Sequence, residues 1–329
     1  MISFRFHVVS ITAVFLAIAI GVVVGSTYVD RAIVDNLQNR VETVSHNLDA
    51  RKAENDALER SLSEAGAYTT ASADYAVTER LAEVPVLIVA ARGIDESAVA
   101  ETVRLARQAG GAVPGVVWLE PQWSLIEDGD RAALAALVDG RFAAELDQLR
   151  GAAWRAVADE LVEPRPPAEM PPVATDAATT TTVAPDSPGA PVLLGLVDAG
   201  FLTFDALDDD STSLAALAGS GARVLVLTGP EAAEEVVPVV SVVVGASLEA
   251  GTVAAEVFAP TTDGPERGQM LSDSLDQDTR DVLAIVDDAD RTEGQVAAVL
   301  ALAGAPGEIV GHFGYGPGAD AVLPAWSPL

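Results

Sequence analysis

Apolar positions fall into three regimes along this chain of 329 residues. The first is a continuous block, VVSITAVFLAIAIGVVVG from Val8 to Gly25, in which only Ser10 and Thr12 are polar. No permanent charge lies between Arg5 and Asp30, and His7 is the only side chain there that titrates near neutrality. At ~1.5 Å rise per residue, such a block crosses a ~30 Å hydrocarbon layer. Tyr28 serves as an interfacial aromatic. The alternative is a cleaved secretory leader, with Arg5 as its basic start and Ala17 and Ala19 as small cleavage residues. Apolar cores of such leaders run to ~7–15 residues, shorter than this block. Either reading exports the chain that follows. Arg5 on the short flank places the N-terminus of an anchored form in the cytoplasm.

The second regime has period 3.5. With Val34, Val41, Leu48, Asn55 and Leu62 at heptad position a, position d holds Leu37, Val44, Arg51, Leu58 and Ala65. β-Branched residues and leucine along such a seam favour a parallel two-stranded coil, and a lone Asn at a fixes register. Arg51 weakens the seam, and Glu54 at g would face Glu59 at e of the partner. The alternative is a single amphipathic helix lying on the exported domain. Within the membrane block, Ala13, Ala17, Gly21 and Gly25 recur every four residues, a small-residue ladder that lets two spans approach closely. Its right-handed crossing conflicts with the left-handed heptads, so Ser26–Asp30 must absorb the change. The same spacing also arises by chance in a chain rich in Ala and Gly.

The third regime alternates short apolar runs with helical periodicity. The stalk helix continues to about Ala82, with a break at Gly66. PVLIVAA from Pro85 reads as a buried strand, Glu96–Gln108 as a helix and Val113–Leu119 as a second strand. This βαβ order implies a parallel sheet covered by helices. A helical stretch runs from Arg131 to Val162, broken near Asp139–Gly140, with Phe142, Leu146, Leu149 and Trp154 at its apolar positions. Residues 164–191 are rich in Pro, Thr and Ala and lack the large apolar groups needed to offset ordering entropy. They are expected to form a disordered insertion. Strands are then predicted at Pro191–Val197, Arg223–Gly229, Val253–Phe258 and Val282–Val286. Helices are predicted at Glu231–Val244 and Thr292–Ala303. The segments beginning VPVLIVAARG and ARVLVLTGPE share this order and spacing. Two related halves and the ordinary rhythm of βαβ units explain that equally well.

The fold class expected is therefore α/β: an N-terminal transmembrane helix (1–30), a parallel coiled-coil stalk (31–82) and a Rossmann-like parallel-sheet domain (83–329). Mean hydropathy of +0.30 leaves a substantial core beyond the anchor. Net charge is −30, which repels nucleic acid and anionic headgroups, so nucleic-acid binding is not expected. Lys52 is the only lysine, and with abundant Arg, Ala, Val, Asp and Gly this points to a GC-rich genome. Cysteine is absent, which removes disulfides, thiol catalysis and thiolate metal sites.

Chemistry is sparse. The loops after the strands, Ala91-Arg92-Gly93-Ile94-Asp95 and Thr228-Gly229-Pro230-Glu231, lack the glycine pattern of a dinucleotide site. No phosphate loop or nucleophile elbow occurs. The three histidines, His7, His46 and His312, are scattered. Asp287, Asp288 and Asp290 form the densest acidic cluster, read as a solvated loop with Asp290 or Thr292 capping the next helix. The glycines Gly311, Gly314, Gly316 and Gly318 are read as a tight turn packed on the sheet. Copper(I) prefers soft ligands. Met170, Met270 and His312 make a thin supply, and His312 is the one weak candidate for a metal ligand. No catalytic residue and no resident cofactor is expected.

Three blocks resemble one family. MISFRFHVVSITAVFLAIAIGVVVGS is similar to the opening of actinobacterial MctB proteins, also called SteB. VLAIVDDADRTEGQVAAVLALAG resembles that family's VDN-D-x-x-G region, through Asp287 and Gly294. GHFGYG resembles its terminal G-H-Y-G motif, through Gly311, His312 and Gly314, with Phe313 in place of tyrosine. The resemblance implies one of two roles. One is copper efflux, as a pore-forming protein of the mycobacterial outer membrane. The other is an anchored partner of the cytoplasmic SteA protein, acting in cell separation and control of peptidoglycan hydrolases. A single membrane helix and short strands apolar on both faces fit the second more readily. The expectation is a homodimeric, non-catalytic envelope protein, with copper implied by resemblance alone.

Overall fold

The computed structural model describes residues 4–138, 145–162, 191–207, 213–259 and 264–325, and for 26–35 the backbone alone. The break expected at Asp139–Gly140, Phe142 and the Pro/Thr-rich residues 164–190 lie outside these. The chain forms two compact units, Met1–Tyr68 and Thr69–Leu329.

Helix α1 (Phe4–Val77) runs without interruption; most of it forms the first unit, and its last residues, with Ala73 and Val77 buried, belong to the second. Gly66 does not break it. A Cβ there would meet nothing within 4 Å, and the flanking Ser-Leu-Ser-Glu-Ala and Ala-Tyr segments carry the helix through. Phe4–Gly25 is long and apolar enough to cross a membrane, and none of it is buried. The seam residues Leu37, Val41, Val44, Leu48, Leu58 and Leu62 are also exposed. The side chain of Val34 lies outside the described residues.

The second unit is a seven-stranded sheet: β1 (Val86–Ala91), β2 (Gly115–Leu119), β3 (Leu202–Ala206), β4 (Arg223–Thr228), β5 (Thr252–Glu256), β6 (Ala284–Val286) and β7 (Gly311–Phe313). Their order is β3-β2-β1-β4-β5-β6-β7, and every pairing is parallel except β2 with β3. All six residues of β1 are buried, so both faces of the sheet are covered. Helix α2 (Glu96–Gln108) packs with α9 (Thr292–Ala303), and α4 (Leu146–Val162) packs with α6 (Val237–Ser247). The shorter helices are α3 (Asp128–Leu137), α5 (Pro191–Asp198), α7 (Gln269–Ser274) and α8 (Gln277–Arg280). Trp123, Trp154 and Phe201 form an aromatic knot, with ring centroids 5.8 and 5.3 Å apart.

The predicted α/β class and the bounds of α2 and α9 stand. Two expectations for the elements of this unit do not. Pro191–Val197 is a helix, not a strand, because the buried carboxylate of Glu160 accepts from the N–H groups of Val192 (2.8 Å) and Leu193 (3.1 Å) and caps its first turn. The helix expected from Glu231 starts at Val237. Before it the chain turns back, and Ala233 N–H donates to the Arg92 carbonyl at 2.7 Å. Strand β3 went unpredicted, although Leu202 is buried and Thr203 exposed in the alternation of an edge strand.

Strands β1 and β4 are neighbours whose connections leave in opposite directions. In such sheets this is where a ligand crevice opens. Here the loop after β4 packs on the loop after β1 through the Ala233–Arg92 bond, so the crevice is filled by the chain itself.

Candidate functional site

The polar focus of the molecule lies further along, at the C-terminal ends of β5 and β6. Ala255 is in register with Val286, so Glu256 and Asp287 are the next pair and project from the same face. Both are completely buried, as is Asp288. Carboxylates in such a setting require partners.

Asp287 finds them in the Gly-rich tail. Its Oδ1 accepts from Tyr315 N–H at 2.9 Å and its Oδ2 from Gly316 N–H at 2.7 Å. His312 Nε2 lies 2.8 Å from Oδ2, within ion-pair reach but off the line of a hydrogen bond. Gly314 lies against this carboxylate at φ +135°, and a Cβ there would run into it. Two successive amides facing one anion form the kind of nest that elsewhere receives a ligand. In this chain the occupant is internal.

A second segment closes over the same point. Arg267 donates to the Asp287 carbonyl at 3.1 Å and to both oxygens of Asp290 at 2.6 and 3.1 Å, and its guanidinium lies 4.4 Å from the Phe258 ring. Gly268 N–H donates to Glu256 Oε1 at 3.1 Å, while Oε2 is buried without a partner. Asp288 lies beneath the start of α9, against Gly294, and both its carboxylate oxygens are buried without hydrogen bonds.

These surroundings divide the acids. Burial pushes Glu256 up to about 7, helped by Asp287 and opposed by the Gly268 and Leu271 amides and Arg267. Burial, with the Asp287 charge, pushes Asp288 up to about 7. Burial acts on Asp287 too, but His312 and the amides of Tyr315 and Gly316 outweigh it and hold this carboxyl below its ordinary value. Asp287 is thus the standing negative charge of the group.

The structure therefore corrects the solvated-loop reading of Asp287–Asp290. The tail folds back over Asp287, and the start of α9 covers Asp288, so two of the three acids are buried. Neither Asp290 nor Thr292 caps α9, whose N-cap is Arg291 without a side-chain bond. Of the four glycines, Gly311 joins the sheet in β7 and Gly314 and Gly316 pack against Asp287, while Gly318 has open space around it. The family-motif residues Asp287, Gly294, Gly311, His312, Phe313 and Gly314 come together here. Gly311 leads β7, its amide donates to the Leu283 carbonyl, and Phe313 pairs with Val286. Glu256, Arg267 and Tyr315 were missed, and Gly316 was read only as part of a turn. A lone carboxylate inside TVAAEVFA was a signal for Glu256; nothing local pointed to the others. The stalk and anchor candidates Ala13, Ala17, Gly21, Gly25, Leu37, Val41, Val44, Leu48, Asn55, Leu58 and Leu62 are exposed on α1 and take no part in this cluster.

Among the described residues, no three His, Cys, Asp or Glu side chains are placed to share a metal ion. His312 is engaged with Asp287, Met270 is half-buried on α7, and Met170 lies outside the described residues. The family model described as "Copper transport outer membrane protein, MctB" matches residues 1–324. The chain belongs to the MctB family. Proteins named "Copper transporter MctB" from Mycobacterium bovis and from two strains of Mycobacterium tuberculosis are 26% identical to it over 333 residues, covering 98% of this chain and 99% of theirs. The MctB match thus takes in the apolar helix, the sheet and the Asp287 cluster together.

Proposed function

We propose that this MctB-family chain is a single-pass envelope protein that acts as a parallel homodimer, non-catalytic, with its N-terminus in the cytoplasm and its α/β unit outside. The observation that carries this reading is the seam of α1, where Leu37, Val41, Val44, Leu48, Leu58 and Leu62 leave 56–72% of their surface open. A second copy, held in the same orientation by the same membrane, covers such a row with its own side chains. Ala13, Ala17, Gly21 and Gly25 then extend the pairing into the bilayer. The family resemblance supplies the partners: a SteA-like cytoplasmic protein on the short side, and the peptidoglycan-hydrolase machinery of cell separation outside.

The chain has no cysteine, so an introduced one reports alone. Leu48→Cys and Leu58→Cys are expected to form disulfide-linked dimers when membranes are oxidised. His46→Cys, on the outer side of the heptad, is not. Equal cross-linking at all three sites, or none at the seam, rejects the coil. Asn55→Leu should shift the oligomeric state.

The names of the family and its relatives favour a second reading, a component of copper export. One span per chain supplies two helices per dimer, too few to wall a channel, so this reading makes the copper role an indirect one or one shared with other proteins. Calorimetric titration of the purified full chain with Cu(I) separates the two. Stoichiometric uptake would favour direct handling, and its absence the interaction role.

A further inference from the structure

The Gly-rich tail is attached at the end of the sheet by unusual means. Strand β7 is three residues long and stands at the sheet edge. Beyond it, the tail is clamped by a buried carboxylate rather than by apolar side chains: Tyr315 is half-exposed, and its main chain is what Asp287 holds. On the neighbouring strand lies Glu256, also fully buried, with one oxygen bonded to Gly268 N–H and the other unpartnered. Gly268 joins the two acids physically. A Cβ on it would come 3.0 Å from Asp287 Cβ and 3.0 Å from the His312 ring. A second negative charge on Glu256 would thus appear beside Asp287, in a dry site, with one oxygen unsatisfied.

We propose that Gly311–Gly316 is a proton-responsive strap, clamped on Asp287 while Glu256 keeps its proton and loosened when Glu256 gives it up. The device is independent of any pairing through α1. The groups around Glu256 bear on it from several elements. The loop before α7 presents Arg267 and the Gly268 amide, and α7 presents the Leu271 amide. The end of β6 presents Asp287, with Asp288 and Asp290 further round the loop. The remaining groups act one step away: His312 and the Tyr315 and Gly316 amides face Asp287, Asp320 accepts from His312 N–H, and Arg291 and Glu293 at the start of α9 face Tyr315. Arg267 is the permanent cation that acts on Glu256 among the described residues, and Asp290 already takes it in a two-oxygen pair.

The sign follows from where the proton sits. In the closed state Glu256 titrates at about 7, against 4.5 for an ordinary glutamate. Below the lower value both open and closed states carry the proton and the strap is tightest. Between the two values the open state ionises and the closed state does not, so opening grows by about tenfold per pH unit, then levels off. Asp287 acts at the other extreme, losing its hold only in acid.

The test is hydrogen exchange at the Tyr315 and Gly316 amides in the full chain in detergent micelles, corrected for intrinsic exchange, from pH 5 to 8. Wild-type protection is expected to fall about tenfold per unit up to pH 7 and then flatten. Glu256→Gln should be flat throughout, and Glu256→Leu should give the same result should the glutamine variant fold poorly. Asp288→Asn should keep the wild-type slope, and Asp287→Asn should show low protection at every pH. A flat wild type overturns the proposal. So does a slope that survives in both Glu256 variants, a slope lost in Asp288→Asn, or full protection in Asp287→Asn.

Discussion

At the scale of single residues, the molecule places its acids where they are hardest to keep. Asp288 has no hydrogen-bond partner for either oxygen and titrates at about 7 instead of 3.8. Below 3.8 folded and unfolded chains are both protonated and the burial carries no penalty. Between 3.8 and about 7 the unfolded chain ionises first, so stability falls as pH rises and then levels. Asp288→Asn removes that loss. Measured by urea denaturation, its stability relative to wild type should improve by up to about 4 kcal/mol between pH 4 and pH 8. An unchanged difference would mean that Asp288 ionises freely in the folded chain. Gly314→Ala works in the opposite sense, since its Cβ would run into Asp287 at a backbone angle that side chains avoid. A loss of about 3 kcal/mol or more is expected, with exchange protection at Tyr315 lost first. Little of this was legible in sequence. The Asp-rich and Gly-rich blocks were each visible, but they lie more than twenty residues apart. What joins them is the non-local pairing of β7 with β6, which no local pattern encodes.

At the scale of elements, local chemistry explains both what could be read and what could not. Asp95 caps α2 through its bond to Ser97 N–H, a signal written in adjacent residues, and α2 was placed to the residue. Helix α5 was misread because its cap, Glu160, stands about thirty residues upstream. VLLGLV by itself suits a strand or a helix equally. Glu160→Ala should cost about 3 kcal/mol, the loss of two charge-assisted bonds in a buried site, and should loosen α5 before the sheet. In α1, Gly66 occupies a helix interior with open space around it. Gly66→Ala should raise helix stability by about 0.5–1 kcal/mol. A fall in helicity on thermal melting by circular dichroism would mean that the position needs to bend.

At the scale of the whole molecule, the chain divides at Tyr68–Thr69, within α1, into an exposed stretch of helix and a unit with its own core that includes the helix end at Ala73 and Val77. The fragment 69–329 should therefore fold alone, with a cooperative melt within a few degrees of the full chain in detergent. A fragment that melts broadly would show that the sheet draws stability from the anchor helix. The long apolar helix and the parallel sheet were legible from the pattern of apolar positions, because a continuous apolar block and short buried runs differ in length and period. The antiparallel edge strand β3 and the self-filled crevice between β1 and β4 depend on tertiary contacts and were invisible. The way Asp287 is held also sets how the family can drift. Its hydrogen bonds come from main-chain amides, with the His312 side chain beside it, so residue 315 can change its side chain without cost to the contact, while position 314 has no freedom. Saturation mutagenesis across the tail should return that contrast between neighbours, tolerant at 315 and fixed at 314. A contact held by main chain in this way can persist while the surrounding sequence is rewritten, and this chain is only 26% identical to its mycobacterial relatives.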